Sequence, residues 1–70
     1  MRYAIVVEKT KGGYGAYVPD LPGCAATGET ESEVIAAIRE GIEIYIQELK
    51  ARGESVPQPV SKCTEVDVRA

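Results

Sequence analysis

The chain has no histidine, tryptophan or phenylalanine among its 70 residues, and only two cysteines. Each shortage closes a route. Without histidine the commonest proton carrier near neutral pH is missing, and so is a principal zinc ligand. Cys24 and Cys63 lie far apart, with no Cys-x-x-Cys pair and none of the dense spacing of a disulfide-stapled secreted domain. No stretch approaches the roughly 20 apolar residues of a membrane span. The apolar run over residues 3–7 is too short for a signal peptide and meets Glu8 at once. A basic cluster is lacking as well: the formal net charge is −3, and the eight Lys and Arg are scattered from Arg2 to Arg69. Phosphate backbones repel such a chain, whereas nucleic-acid domains carry clustered positive charge. The composition therefore predicts a cytoplasmic protein with reduced thiols, no metal or cofactor, and no direct contact with nucleic acid or membrane. A basic protein partner suits its charge better.

Seventy residues make one domain with a thin core. Domains of this size are usually helped by disulfides, a metal or self-association. With the first two unsupported, a homo-oligomer (a dimer or higher) is expected.

The pattern along the chain is β-β-β-α-β. Residues 2–8 alternate, with Tyr3, Ile5 and Val7 on one face and Ala4, Val6 and Glu8 on the other. Both faces are largely apolar, which predicts a strand inside the sheet. A turn at Gly12 and Gly13 leads to a second strand over residues 14–18, making a hairpin. Pro19 ends it, since proline brings no amide to a ladder. Asp20, Leu21, Pro22 and Gly23 have the composition of a bend, and residues 24–28 return as a third strand.

The helix is placed at residues 30–52. Thr30 and Glu33 have capping-box spacing, and Glu29, Glu31 and Glu33 set negative charge where the helix dipole is positive. Val34, Ile35, Ile38, Ile42, Tyr45, Ile46 and Leu49 form one apolar stripe, about 120° wide at helical period. Lys50, Arg52 and Gly53 suit its C-terminal end. Val56, Pro57, Gln58 and Pro59 read as an extended connector. Residues 64–68 alternate cleanly, which predicts a fourth strand with Val66 and Val68 turned to the core. The expected fold class is α+β: two layers, a four-stranded sheet with one long helix on one face. Ala4, Val6, Gly15 and Tyr17 would then line an uncovered side, which a second copy of the chain could keep dry.

No catalytic constellation emerges. Most of the eleven Asp and Glu, including Glu33, Glu40, Glu43 and Glu48, lie off the apolar stripe and read as a solvated helix face. Asp20 sits in a bend, where functional groups gather, although accepting amides of its own bend explains it as well. Cys24 reads as a small buried thiol, having no base to activate it. Cys63 falls in an exposed stretch and is given no role. Gly12, Gly13 and Gly15 lie between two strands, with no Gly-Lys-Ser/Thr following, so they form a hairpin and not a phosphate cradle. The four tyrosines lack interleaved basic residues and read as core or interface aromatics. Ile44 stands on the helix face opposite the stripe; a lone exposed isoleucine needs no explanation, but its line with Ala37 and Ala51 makes it a candidate for a second docking surface. Tyr17, Asp20, Glu40 and Ile44 are the candidate partner contacts.

The segment Val18-Pro19-Asp20-Leu21-Pro22-Gly23-Cys24, followed by Gly28, Thr30 and Glu33, resembles the signature of the HicB-like antitoxin family. Members show a Pro-Asp-Leu-Pro-Gly-Cys run and then a Gly-x-Thr that opens the long helix. Val56-Pro57-Gln58-Pro59 is similar to the family's Ile-Pro-x-Pro stretch, so the resemblance covers nearly the whole chain. It implies a truncated, partial RNase H-like fold of order βββαβ. It also implies a non-catalytic antitoxin that covers the active site of a HicA toxin, a small basic ribonuclease. RNase H chemistry does not follow, because it needs several acidic metal ligands and the first strand offers only Glu8. Longer members carry a C-terminal DNA-binding domain; ending at Ala70, this chain is expected to be a single domain over residues 1–70 without one. A stand-alone regulatory domain that binds a small ligand or a non-nuclease protein is the alternative.

Overall fold

The computed structural model of the protein describes residues 1–69. Three strands, β1 (Val6–Thr10), β2 (Gly13–Tyr17) and β3 (Ala25–Gly28), form an antiparallel sheet in the order β1-β2-β3. One helix, α1 (Glu31–Ala51), follows. The class is α+β, in two layers.

Alternation along the strands fixes which side meets the helix. Val7, Ala16 and Ala26 are in cross-strand register, and all three pack into the core. Their neighbours Val6, Tyr17 and Ala25, also in register, therefore point to the other side. Val34 and Ile38 of α1 are fully buried against this sheet, over β2 and β3. The expected uncovered face is present, with Val6, Gly15 and Tyr17 on it.

Two strand expectations need correcting. β1 begins at Val6, not at residue 2, and lies at the edge of the sheet. The register explains the late start: Val6 pairs with Tyr17, and beyond Tyr17 the partner strand turns away at Val18 and Pro19. Of residues 3–7, Tyr3, Ile5 and Val7 pack against the core, whereas Val6 points to the open face, so apolar residues on both sides do not mark a central strand. The second correction concerns residues 64–68. They form no strand among the described residues, the sheet has three strands instead of four, and Val66 and Val68 are 78% and 76% exposed.

The bend between β2 and β3 contributes three of the core side chains. The Val18 amide donates to the Cys24 carbonyl at 3.1 Å, closing a loop in which Leu21 N–H donates to Val18 and Cys24 N–H donates to Leu21. Two consecutive tight turns thus aim Val18, Leu21 and Cys24 inward, and all three are buried. Gly23 supports the second turn with φ of 81°, a conformation that costs little without a Cβ. Pro19 and Pro22 face solvent. Half-buried Tyr45 of α1 donates its hydroxyl to the Pro22 carbonyl at 2.9 Å, tying the helix to the bend.

The helix boundaries agree with the sequence pattern to within a residue. Thr30 is the N-cap, its hydroxyl oxygen accepting from the Glu33 amide at 3.1 Å. Glu33 does not reach back to the Thr30 amide; its carboxylate takes the threonine hydroxyl at 3.4 Å instead. At the other end Gly53 N–H donates to Lys50 and Glu54 N–H to Leu49, a Schellman closure. Gly28 lies directly under the first turn. A Cβ there would stand 2.8 Å from the Val34 amide nitrogen, so only glycine lets the end of β3 pass so near the helix backbone.

Candidate functional site

Asp20 is the most heavily bonded carboxylate at the surface. One oxygen accepts the amides of Val60 and Ser61 at 3.0 and 2.9 Å, and the other accepts the Ser61 hydroxyl at 2.7 Å. The Ser61 bonds, amide first and hydroxyl second, hold its carboxyl below the ordinary 3.8, with Val60 adding to them against a small opposing effect of burial. The expectation that Asp20 caps its own bend is therefore corrected. The amides of Leu21 and Cys24 are already satisfied by backbone carbonyls, which leaves the carboxylate free for a partner forty residues on.

Two more contacts fasten the same stretch of chain. Tyr3 donates its hydroxyl to the Pro57 carbonyl, and the Cys63 thiol donates to the Ile5 carbonyl at 3.2 Å. Burial, and then the nearby charge of Asp20, push the Tyr3 hydroxyl pKa above 10.0. Residues 57–63 thus form a strap across the end of the sheet where β1 begins. Beyond the strap, residues 64–69 are fully exposed.

Beside β1 the helix overhangs the sheet. Since α1 lies over β2 and β3, Ile35, Ile42 and Ile46 face a gap bounded on the other side by Met1, Tyr3 and Ile5. The gap is an open groove of about 640 Å³. Arg2, Arg39, Glu43 and Lys50 rim it, and among the described residues none of these four makes an ion pair.

The four candidate contacts do not form one surface. Glu40 and Ile44 are a helical turn apart on the outer side of α1, where Ile44 is 47% exposed beside exposed glutamates. Ala51 is exposed near the same line, whereas Ala37 is half-buried, so the apolar line is shorter than expected. Tyr17, 44% exposed, lies on the open face of the sheet, on the opposite side of the molecule. Asp20 faces the strap. Cys24 is buried, which raises its thiol pKa and disfavours the reactive thiolate, and Cys63 is exposed. Sequence reasoning missed the strap and the groove. Neither has a local signal: one depends on a contact spanning forty residues, the other on where the helix sits relative to an edge strand.

Among the described residues no cluster of three or more His, Cys, Asp or Glu is placed to hold a metal ion, and no helix is long and apolar enough to cross a membrane. What the arrangement offers is surface: an acidic helix side, an open sheet face, an unpaired edge and an apolar groove.

Comparison with known proteins agrees with this. The chain is 37% identical to a UPF0150 protein of Thermoplasma acidophilum over the full length of both. It is 44% identical to a UPF0150 protein of a Synechocystis strain, over 80% of this chain and 72% of that one. Among solved structures it is similar to a chain of a HicA3 and HicB3 toxin-antitoxin complex, with a TM-score of 0.73 and 30% identity, over 86% of this chain and 70% of that chain. The family described as the HicB-like antitoxin of bacterial toxin-antitoxin systems matches residues 3–68. With the Val18–Cys24 bend, the capped helix and the strap all inside the matched region, the protein belongs to the HicB-like antitoxin family.

Proposed function

We propose that the protein acts without catalysis, as an antitoxin that binds a small basic ribonuclease of the HicA type and occludes its active site. The observation that carries this reading is the likeness, at 30% identity, to a chain from a solved toxin-antitoxin complex. The physical chemistry supports it. A chain without histidine and with net charge −3 is poorly equipped for proton transfer, and its charge complements a basic nuclease. Glu40 and Ile44 have the makeup of an anchor: an exposed apolar side chain with acidic neighbours to steer a cationic partner. Tyr17 lies on the opposite side of the molecule, on the open sheet face, and offers a separate aromatic contact surface there. Asp20 acts indirectly, by holding the strap. In the same reading the protein self-associates in the cytoplasm, and a second copy shields apolar surface that the single helix leaves open.

The test is an RNA-cleavage assay with a purified HicA-type ribonuclease and increasing amounts of the chain. Cleavage should stop near equimolar ratio, and the complex should weaken as salt is raised. Ile44→Asp combined with Glu40→Lys should loosen binding by about tenfold or more, as expected for the loss of roughly 1.4 kcal/mol. Unchanged cleavage at a large excess of the chain would defeat the proposal.

A further inference from the structure

We propose that residues 64–68 are an exchange strand, which pairs with the outer edge of β1 in a second copy of the chain and sets Val66 and Val68 into the groove under α1. The inference rests on the self-association proposed above and names the segment that carries it.

Three observations converge on it. The first is an unpaired edge. β1 ends the sheet, and among the described residues no backbone hydrogen bond reaches its outer side. Edge strands of this kind template the addition of another strand. The second is a segment with strand pattern and nothing to pack on. Thr64, Val66 and Val68 alternate with Glu65 and Asp67, all of them exposed. Five extended residues span roughly 17 Å, the length of β1 itself.

The third is the fit between the two. The groove presents Ile35, Ile42 and Ile46 opposite Met1, Tyr3 and Ile5, the residues that lead into the open edge of β1, so the apolar face of a strand added there would enter it. Its rim carries Arg2, Arg39 and Lys50 without ion-pair partners among the described residues, against Glu43 alone, and the tail brings Glu65 and Asp67. Basic rim and acidic strand are complementary.

The geometry favours a second copy over the same one. The strap is pinned at Ser61 by Asp20 and at Cys63 by Ile5, so its direction is set at the start of β1. From there the segment leaves the body. The molecule measures 47 × 26 × 17 Å, although a 21-residue helix is only roughly 32 Å long. Its radius of gyration of 13.6 Å exceeds the roughly 11 Å of a compact chain of this size. A projecting strand and a vacant edge on one chain make a self-complementary pair. Two copies related by a two-fold axis satisfy both at once.

Light scattering on the full chain should give a multiple of 7.5 kDa. Val66→Asp with Val68→Asp, and separately a chain shortened after Lys62, should give the monomer mass at the same concentration. Both should keep an unchanged helical circular dichroism spectrum, because the altered residues contribute nothing to the core. A second measurement locates the strand. A nitroxide at residue 69 (Arg69→Cys in a Cys63→Ser background), carried on unlabelled chains, is mixed with isotope-labelled, spin-free chains. It should broaden the amide signals of β1 in the labelled copies. A monomeric full chain would overturn both the self-association and the exchange. An oligomer that survives both tail variants, or broadening absent from the mixed sample, would overturn the exchange and leave self-association standing.

Discussion

The bend at residues 18–24 and the segment at residues 64–68 both carry spaced apolar side chains between polar or turn residues, yet they end in opposite environments. In the bend, Val18, Leu21 and Cys24 are buried and the backbone closes on itself with three hydrogen bonds. In the segment, Val66 and Val68 stand in solvent. The difference lies in what each can reach. The bend connects two strands already paired and lies beneath a helix anchored to it through Tyr45. The segment follows a strap that leads it to an edge and not under a layer. Apolar spacing specifies a face; burial also needs a surface within reach, from the same chain or from another.

The sharpest way to break this contrast is to remove one apolar side chain from each region. Leu21 is fully buried in the core. Leu21→Ala should cost about 2–5 kcal/mol, the range for a large-to-small change that leaves a cavity. In a domain this small such a loss could consume most of the stability. Val66→Ala, measured on dilute monomer, should shift stability by less than about 0.5 kcal/mol, as surface substitutions do. Urea unfolding followed by circular dichroism checks both. Equal losses would mean that the segment is packed in the monomer.

Gly28→Ala tests the joint between sheet and helix. The added methyl would lie 2.8 Å from the Val34 amide and 3.1 Å from its Cα, both backbone atoms of the first helical turn. Neither can swing aside as a side-chain tip would, so helix and β3 must separate. We expect a loss of about 1–3 kcal/mol, in the range for overpacking, read as a lower unfolding midpoint. A variant as stable as the parent would show that the helix start adjusts freely.

How much of this was legible in the sequence follows the range of the interactions involved. The helix was read to within a residue at each end because caps, stripe and Schellman glycine are all local to it. The hairpin and the inward turn of Cys24 were also readable, from glycine and proline placed between alternating runs. The position of β1 in the sheet was not. Apolar residues on both faces of residues 3–7 look the same in a sequence whether the second face is covered by another layer or left open, as it is at Val6. Asp20 was singled out as a candidate partner contact, but its partners within the chain are Val60 and Ser61, and nothing in a single sequence links positions so far apart. The fourth strand was read from the alternation of residues 64–68, which local pattern alone supplies; among the described residues they pair with no strand and stand in solvent. Among the candidate contacts, only Glu40 and Ile44 could be grouped from spacing, since helical period places them together whatever the tertiary structure.

Thr30→Ala is a smaller probe of the local signals. It removes the hydroxyl oxygen that accepts the Glu33 amide, and with it the contact to the Glu33 carboxylate. Loss of a threonine N-cap costs typically about 1 kcal/mol. A thermal melt should fall modestly with the tail unaffected, because the cap lies outside the strap.

The gentlest perturbation acts on the connection between the two regions. Asp20 holds the strap more tightly when ionised, because each of its three contacts is a donor pointing at a carboxylate oxygen and charge strengthens each bond. Its carboxyl pKa in the folded protein lies below the 3.8 of the free side chain. The sign follows: a depressed acid stabilises the attached state above its unperturbed value, and that contribution is lost as pH falls through the lowered one. The amides of Val60 and Ser61 should therefore keep their folded chemical shifts from neutral pH down past 3.8, then move toward random-coil positions. Signals from Ala16 and Ile38 should stay in place if the core is intact at that pH. Asp20→Asn should loosen the same two amides at neutral pH and abolish their acid transition. It also removes a charge that, second to burial, raises the Tyr3 hydroxyl pKa, so an ultraviolet titration should show Tyr3 ionising at lower pH in the variant. If the amides of Val60 and Ser61 instead follow the global acid unfolding of the core in both proteins, the strap is part of the body, and the boundary between the two regions belongs beyond Cys63.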